Sequence, residues 1–349
     1  MEHRTANNSR ALIAAIAVIA LILVGGFMYG IGRRQVRSSN TDTQSSQRIK
    51  RVGILQYVSH PALDQIHKGV VDELKKEGFV EGENLEIIDQ NGQADQSKLA
   101  TMSEQLVSKQ PDVMVGIATP AAQALANASR DVPIVLGAVT DPVTAGLINN
   151  MKHPGGNITG VSDQPPVQQE IELGKKLLPE AKTVGILYSS TEDNSKSQVV
   201  TAERASRRLG LNVKRFAVPS SNEIAQTVQV MSDQCDFIYI PLDNTIANAM
   251  PTVTQEANKK HRPIINSVDS MVEQGGLAAI SVNQYRLGIE TGRMTARMLK
   301  GEKPASMPVY TFTAGDTVVN KDQAALLGVT VPSDIRAQAK FVATRMTTK

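Results

Sequence analysis

Apolar residues fall along this chain in short unbroken runs, each followed by a longer stretch whose apolar positions recur every three or four residues. Unbroken runs mark strands covered on both faces, and the longer spacing marks amphipathic helices. The run "RVGIL", Arg51 to Leu55, returns as "TVGIL", Thr183 to Leu187. The stretches after the two copies match too. After the first, Leu63, Ile66, Val70 and Leu74 form a helical stripe closed by Gly78, and "LEIID" comes next. After the second, "SQVVTAERASRRLG" closes at Gly210 and "NVKRFAV" comes next. Each half continues to a wholly apolar strand, "VMVGIA" or "FIYIPL", and then to "VPIVLGAV" or "RPIINSV". Strands alternating with helices indicate βαβ units and parallel sheets, and the doubling predicts two similar α/β lobes facing each other over a cleft.

The same pattern predicts helices near 61–77, 96–109, 120–129, 142–150, 166–178, 194–209, 222–232 and 245–260, with Pro251 interrupting the last. "HPGGN", His153 to Asn157, is a turn leading into the strand "ITGVS". The stretch "YRLGIETGRMTARMLKG" is a helix with Leu287, Met294 and Met298 on one stripe. Its Gly288 and Gly292 suggest close packing on a neighbour, or else merely weaken the helix. A short helix from about 333 closes the chain.

Ala11 to Ile31 is a different kind of run, 21 residues without a charge. As a helix it spans about 30 Å, enough to cross a bilayer core. No A-x-A site or cysteine stands near its end, so an uncleaved signal anchor is expected rather than a cleaved leader or a lipid-modified one. Arg4 and Arg10 precede it while Arg33, Arg34 and Arg37 follow it, so charge alone leaves a cytoplasmic orientation open. The expected organisation is a basic tail at 1–10, the anchor at 11–31 and a flexible linker at 32–49. Lobe 1 then takes 50–160 with 284–314, and lobe 2 takes 161–283 with 315–349.

Charge changes the picture once it is divided. Residues 1–50 hold seven basic and two acidic residues, and the remainder holds 30 against 32, so the body offers no basic field for nucleic acid. The single cysteine, Cys235, excludes a disulfide framework and reads as an inert core thiol. The five histidines show no metal-ligand spacing; His60 and His67 flank one helix without a third ligand, so no metal is expected. There is no GxSxG, Walker A or GxGxxG sequence, so neither catalysis nor a cofactor is expected.

In parallel α/β sheets ligands bind beyond the carboxyl ends of the strands. Those positions hold Gln56 and Tyr57, Thr119 and Pro120, Thr140 and Asp141 in the first half, with Asp163 after "ITGVS". In the second half they hold Ser189 and Asn194, Asp243 and Asn244, and Asp269. Thr119 followed by Pro120 reads as an N-cap and first turn, leaving the amides of Ala121 and Ala122 free for a carboxylate; it reads equally well as a cap alone. Asp141 and Asp243 repeat the arrangement with an acid that caps a helix or holds an ammonium. Tyr57 and Tyr188 could stack on a flat ligand or pack at the sheet edge.

Taken together, "ILQYVSHPALDQIHKGVVDELKKEGFVEGENLEI", "IATPAAQALAN", "VTDPVTAGL", "PGGNITGVSD", "IPLDNTIANAM" and "MVEQGGLAAISVNQYRLGIETGRM" resemble the tryptophan/tyrosine-type substrate-binding proteins of ABC transporters. The resemblance covers residues 50 to 335. It implies the type I periplasmic-binding-protein fold, with three crossings near 160–164, 281–284 and 313–318. It implies an extracellular, monomeric body that captures an aromatic amino acid and hands it to an ABC permease and ATPase. Thr119 and the Ala121 amide would take the carboxylate, Asp141, Asp243 or Asp269 the ammonium, and Gln56, Tyr57 or Tyr188 the side chain. Two other readings share the pattern: a membrane-tethered sensor of the same fold, and a nucleotide-dependent α/β enzyme.

Overall fold

The computed structural model describes residues 48–312 and 315–345. The expected anchor at 11–31, most of the linker, and residues 313 and 314 of the third expected crossing lie outside the described residues. Among the described residues no helix is long and apolar enough to cross a membrane.

The first half alternates as the apolar pattern predicts: β1 (Lys50–Gln56), α1 (Pro61–Lys76), β2 (Leu85–Asn91), α2 (Gln96–Ser108), β3 (Val113–Ile117), α3 (Thr119–Ala128), β4 (Ile134–Gly137) and β5 (Ile158–Ser162). The second half repeats it with α4 (Val167–Leu177), β6 (Thr183–Ser189), α5 (Asp193–Arg208), β7 (Asn212–Val218), α6 (Ile224–Ser232), β8 (Phe237–Ile240), α7 (Asn244–Asn248), α8 (Met250–Lys259), β9 (Ile264–Asn266), α9 (Asp269–Glu273) and β10 (Ala278–Ser281). The chain ends in α10 (Gln284–Leu299), β11 (Tyr310–Thr311), β12 (Asp316–Asn320), α11 (Lys321–Leu326), α12 (Ser333–Arg336) and β13 (Lys340–Val342).

These strands form two sheets. The first has the order β11-β5-β4-β3-β1-β2 and is parallel throughout; the second has the order β13-β12-β10-β9-β8-β6-β7 and is parallel except where β10 meets β12. The repeated run occupies the same place in both. Val52 is flanked by Ile87 and Val113, and Val184 by Val213 and Phe237. Strands with covered faces on both sides must be apolar at every position, and both runs are buried from valine to leucine.

The chain leaves the first sheet after Ser162, returns between Ser281 and Gln284, and leaves again after Thr311. Helix α10 therefore belongs to the first lobe, where Leu287, Met294 and Leu299 join the apolar cluster that contains Val52, Ile66 and Leu136. It runs against α1 at very close range: a methyl group placed on Gly288 would stand 2.1 Å from the Ile66 carbonyl oxygen, and one on Gly69 2.4 Å from that of Tyr285. Only residues without a side chain permit this approach, which settles the meaning of Gly288 and Gly292 in favour of packing.

Among the described residues one expected helix is absent. The stretch 142–150 is a turn, in which the Asp141 carboxylate accepts from Thr144 N at 3.0 Å and Gly146 then takes φ +71° and stops the helical path. The helix at 245–260 is interrupted at Pro251 as expected: it is two helices, because Pro251, which lacks an N–H and clashes with a preceding turn, fits the first turn of α8 but not a helix interior.

Candidate functional site

The carboxyl ends of the two sheets converge on a cavity lined by residues of both lobes. From the first come His60, Ala62, Leu63, Ala118, Thr119, Ala138, Thr140 and Asp163; from the second Asn194, Leu242, Asp243, Asn244, Ala247 and Val268, with Gln284 at a crossing. Its volume is about 30 Å³, so the two rims lie close together around it. Among the described residues no lysine or arginine lines it. Ala62 packs into the second lobe's apolar cluster, so the two lobes touch through side chains as well as across the cavity.

On the first lobe the sheet order sets the rim: Asp163 follows β5, Thr140 follows β4 and Thr119 follows β3. The Asp163 carboxyl is wholly buried, and burial pushes it up to about 6 against the pull of a hydrogen bond from Thr140. Its Oδ1 has no hydrogen-bond partner among the described residues. A buried acceptor without a partner is expensive, and a donor supplied by a ligand offsets that cost.

Helix α3 starts one residue earlier than a Thr119 cap would allow. The cap is Ala118, whose φ of +75° is a left-handed backbone that alanine rarely adopts, and its carbonyl already takes the Ala122 amide at 3.1 Å. The amides of Thr119 and Ala121 have no carbonyl one turn earlier in the helix to bond, and with the helix dipole behind them they suit an anion. Ala138, at the end of β4, is also left-handed at φ +59°. Strained backbone thus sits at two neighbouring strand ends on the cavity wall.

On the second lobe the acids are already engaged. Asp243 caps α7 by accepting from Ile246 N at 2.9 Å, and accepts from Ser189 N at 2.5 Å and Ser195 Oγ at 2.7 Å. Burial and the neighbouring Glu192 carboxylate push its pKa up. Glu192 itself accepts from Asn244 Nδ2 at 2.6 Å and from the Thr245 amide and hydroxyl at 2.8 Å each. Asn194 donates from Nδ2 to the Leu242 carbonyl at 2.8 Å, and its Oδ1 is buried with no partner among the described residues.

Of the residues singled out from sequence, the cavity gathers Thr119, Thr140, Asp163, Asn194, Asp243 and Asn244. Ala121 stands in the first turn of α3 behind it. The others stand elsewhere. Gln56 donates to the Val58 carbonyl and to Asp64 in an open pocket beside β2. Tyr57 is buried beneath the second lobe beside Thr245, Thr191 and Glu192, and burial and the Glu192 charge push its phenol up to about 12. Pro120 faces a larger groove outside the cleft, shared with Gln96, Glu104, Gln123 and Arg130, which contains no buried unpaired side-chain atom. Asp141 caps its own turn, Ser189 serves Asp243, and Asp269 accepts from the adjacent Ser270 amide at 2.8 Å. His60 was visible only as half of a rejected metal pair. Its position just before a helix-starting proline, four residues past β1, is the signal that places it at the rim.

Three comparisons bear on this geometry. The profile of a family described as ABC transporter substrate binding protein matches residues 51–343. A tyrosine-binding protein of Clostridioides difficile (strain R20291) is 34% identical over 317 residues, covering 89% of this chain and 92% of the relative. Among solved structures, an ABC domain from Streptococcus pneumonia in complex with L-Trp is 49% identical with a TM-score of 0.82, covering 84% of this chain and 99% of that one. A ligand-free, open substrate-binding protein with adhesive properties from Clostridium difficile is 38% identical with a TM-score of 0.65, covering 85% and 100%.

Proposed function

Because the chain belongs to the family of ABC transporter substrate-binding proteins, we propose that its cleft captures one aromatic α-amino acid, tryptophan or tyrosine. The observation that carries this reading is the pairing along one rim of an unpaired buried carboxylate oxygen with free helix amides. Asp163 on β5 and the first turn of α3 on β3 are two strands apart, or roughly 10 Å at the usual spacing. An amino acid's ammonium and carboxylate, each with its hydrogen bond, span that interval. Asp163 takes the ammonium, and Thr119 with the Ala121 amide takes the carboxylate. Asp243 stays a structural acid, so the ammonium moves from the three acids first considered for it to a fourth.

The greater likeness to the L-Trp complex than to the ligand-free open structure supports a closed arrangement of the lobes. A ligand touching both rims favours that closed state by its differential affinity. The uncharged run from Ala11 to Ile31 would anchor the body at the outer face of the membrane, where a permease and its ATPase receive the ligand. The reading is of capture without chemistry. Isothermal titration of the full chain in detergent with the twenty amino acids tests it: heat with tryptophan or tyrosine is expected, and none with either would remove the assignment.

A further inference from the structure

His60 is a buried histidine whose two ring nitrogens are unequally placed, and the inequality fixes its tautomer. The Glu192 carboxylate only accepts, and it lies 2.6 Å from Asn244 Nδ2, so the Asn244 amide turns its Oδ1 toward His60. That oxygen also only accepts. The proton between them therefore sits on His60 Nε2, 3.2 Å away, and Nδ1 keeps a lone pair. Burial holds the ring neutral, its pKa pushed down to about 4. His60 lines the cavity, and its Nδ1 is buried with no hydrogen-bond partner among the described residues.

The sheet order sets His60 three strands from Asp163, which holds the ammonium, and one strand beyond Thr119, which holds the carboxylate. His60 follows β1, and between it and Asp163 on β5 stand the ends of β3 and β4. Three strand spacings amount to roughly 14 Å. With the ammonium at Asp163 and the carboxylate at Thr119, His60 is left for the ligand's side chain.

We propose that His60 is a specificity-determining residue, accepting on Nδ1 a hydrogen bond from an N–H or O–H carried by the ligand's aromatic side chain. The inference rests on the amino-acid reading of the cleft and narrows it. An indole or a phenol supplies the donor; a plain phenyl ring leaves a buried acceptor stranded. Sites built around such a hydrogen bond discriminate well against analogues that lack it.

The test is isothermal titration of the full chain in detergent with two matched pairs. They are L-tyrosine against L-phenylalanine, and L-tryptophan against its 3-benzothienyl isostere, in which sulfur replaces the N–H. In the pair that binds, the donor-free member is expected to bind roughly 10- to 100-fold more weakly. His60→Phe should shrink that ratio to near unity, and so should Asn244→Leu, which releases the tautomer. Equal affinities within the pair, or a ratio that survives in the variants, overturn the inference and leave amino-acid binding standing. Silence from all four ligands overturns both.

Discussion

Tyr239 donates its phenol hydrogen to Glu170 at 2.6 Å inside the second lobe, and Ser267 adds a second hydrogen bond to the same oxygen at 2.9 Å. The other oxygen, Oε1, is buried with no partner, and burial pushes the carboxyl up to about 8. A folded-state value above the unfolded one means that the native protein holds this proton more tightly. The contribution is fully present below about pH 4.5 and is lost as pH rises through about 8. Relative to Glu170→Gln, the wild type should therefore lose stability on going from pH 5 to pH 8.5, at up to roughly 1.4 kcal/mol per pH unit. Denaturant titrations at the two values check this; parallel pH profiles for the two proteins would contradict it.

Asp163→Asn should weaken amino-acid binding by roughly 10- to 100-fold, the worth of a charge-assisted hydrogen bond, while leaving the melting temperature nearly unchanged. In the wild type an ammonium ligand needs the ionised carboxylate, which the empty site loses as pH falls through about 6. The dissociation constant should therefore rise roughly tenfold per pH unit below that point. A flat pH profile in the wild type, or one shared by the variant, would move the ammonium to another residue.

Gly288→Ala would place a methyl group 2.1 Å from the Ile66 carbonyl and force α1 and α10 apart. The expected destabilisation is about 1–3 kcal/mol, seen as a lower melting temperature. Gly78→Ala is the control: nothing lies within 4 Å of the new methyl, and only the φ of +91° opposes it. A melting temperature lowered less by Gly288→Ala than by Gly78→Ala would refute the close-packed seam.

Cys235 donates its thiol to the Met231 carbonyl at 3.1 Å, and burial pushes its pKa up to about 11. An aromatic disulfide reagent should leave the native protein unmodified at neutral pH and label it once in concentrated guanidinium. Rapid labelling of the folded chain would show an exposed or activated thiol.

The doubled apolar run was legible because strands covered on both faces have no polar positions to blur them. The same reading at each strand end reached Thr119, Thr140, Asp163, Asn194, Asp243 and Asn244, all on the cavity wall. Its failures have physical causes. Asp141 begins a turn with the residues that begin a helix, and only Gly146, five residues on, reveals the stop. Ala118 adopts a conformation that its side chain opposes, so composition gives no warning of it. His60 drew no binding role from the sequence because the Glu192 and Asn244 that set its tautomer lie more than a hundred residues away and in the other lobe. Asp163 and Asp243 are both buried acids at strand ends, and their difference appears only when their donors are counted.

The way the chain weaves between its sheets also dictates when it can mature. The first sheet waits for β11 and for α10, both made after nearly all of the second lobe, and the second sheet waits in turn for β12 and β13. The first lobe's apolar cluster takes Leu287, Met294 and Leu299 from α10, so its packing is completed only after nearly all of the second lobe has been made. A nascent chain thus carries the first lobe's helical seam unpaired, with α1 waiting for α10, for most of its synthesis.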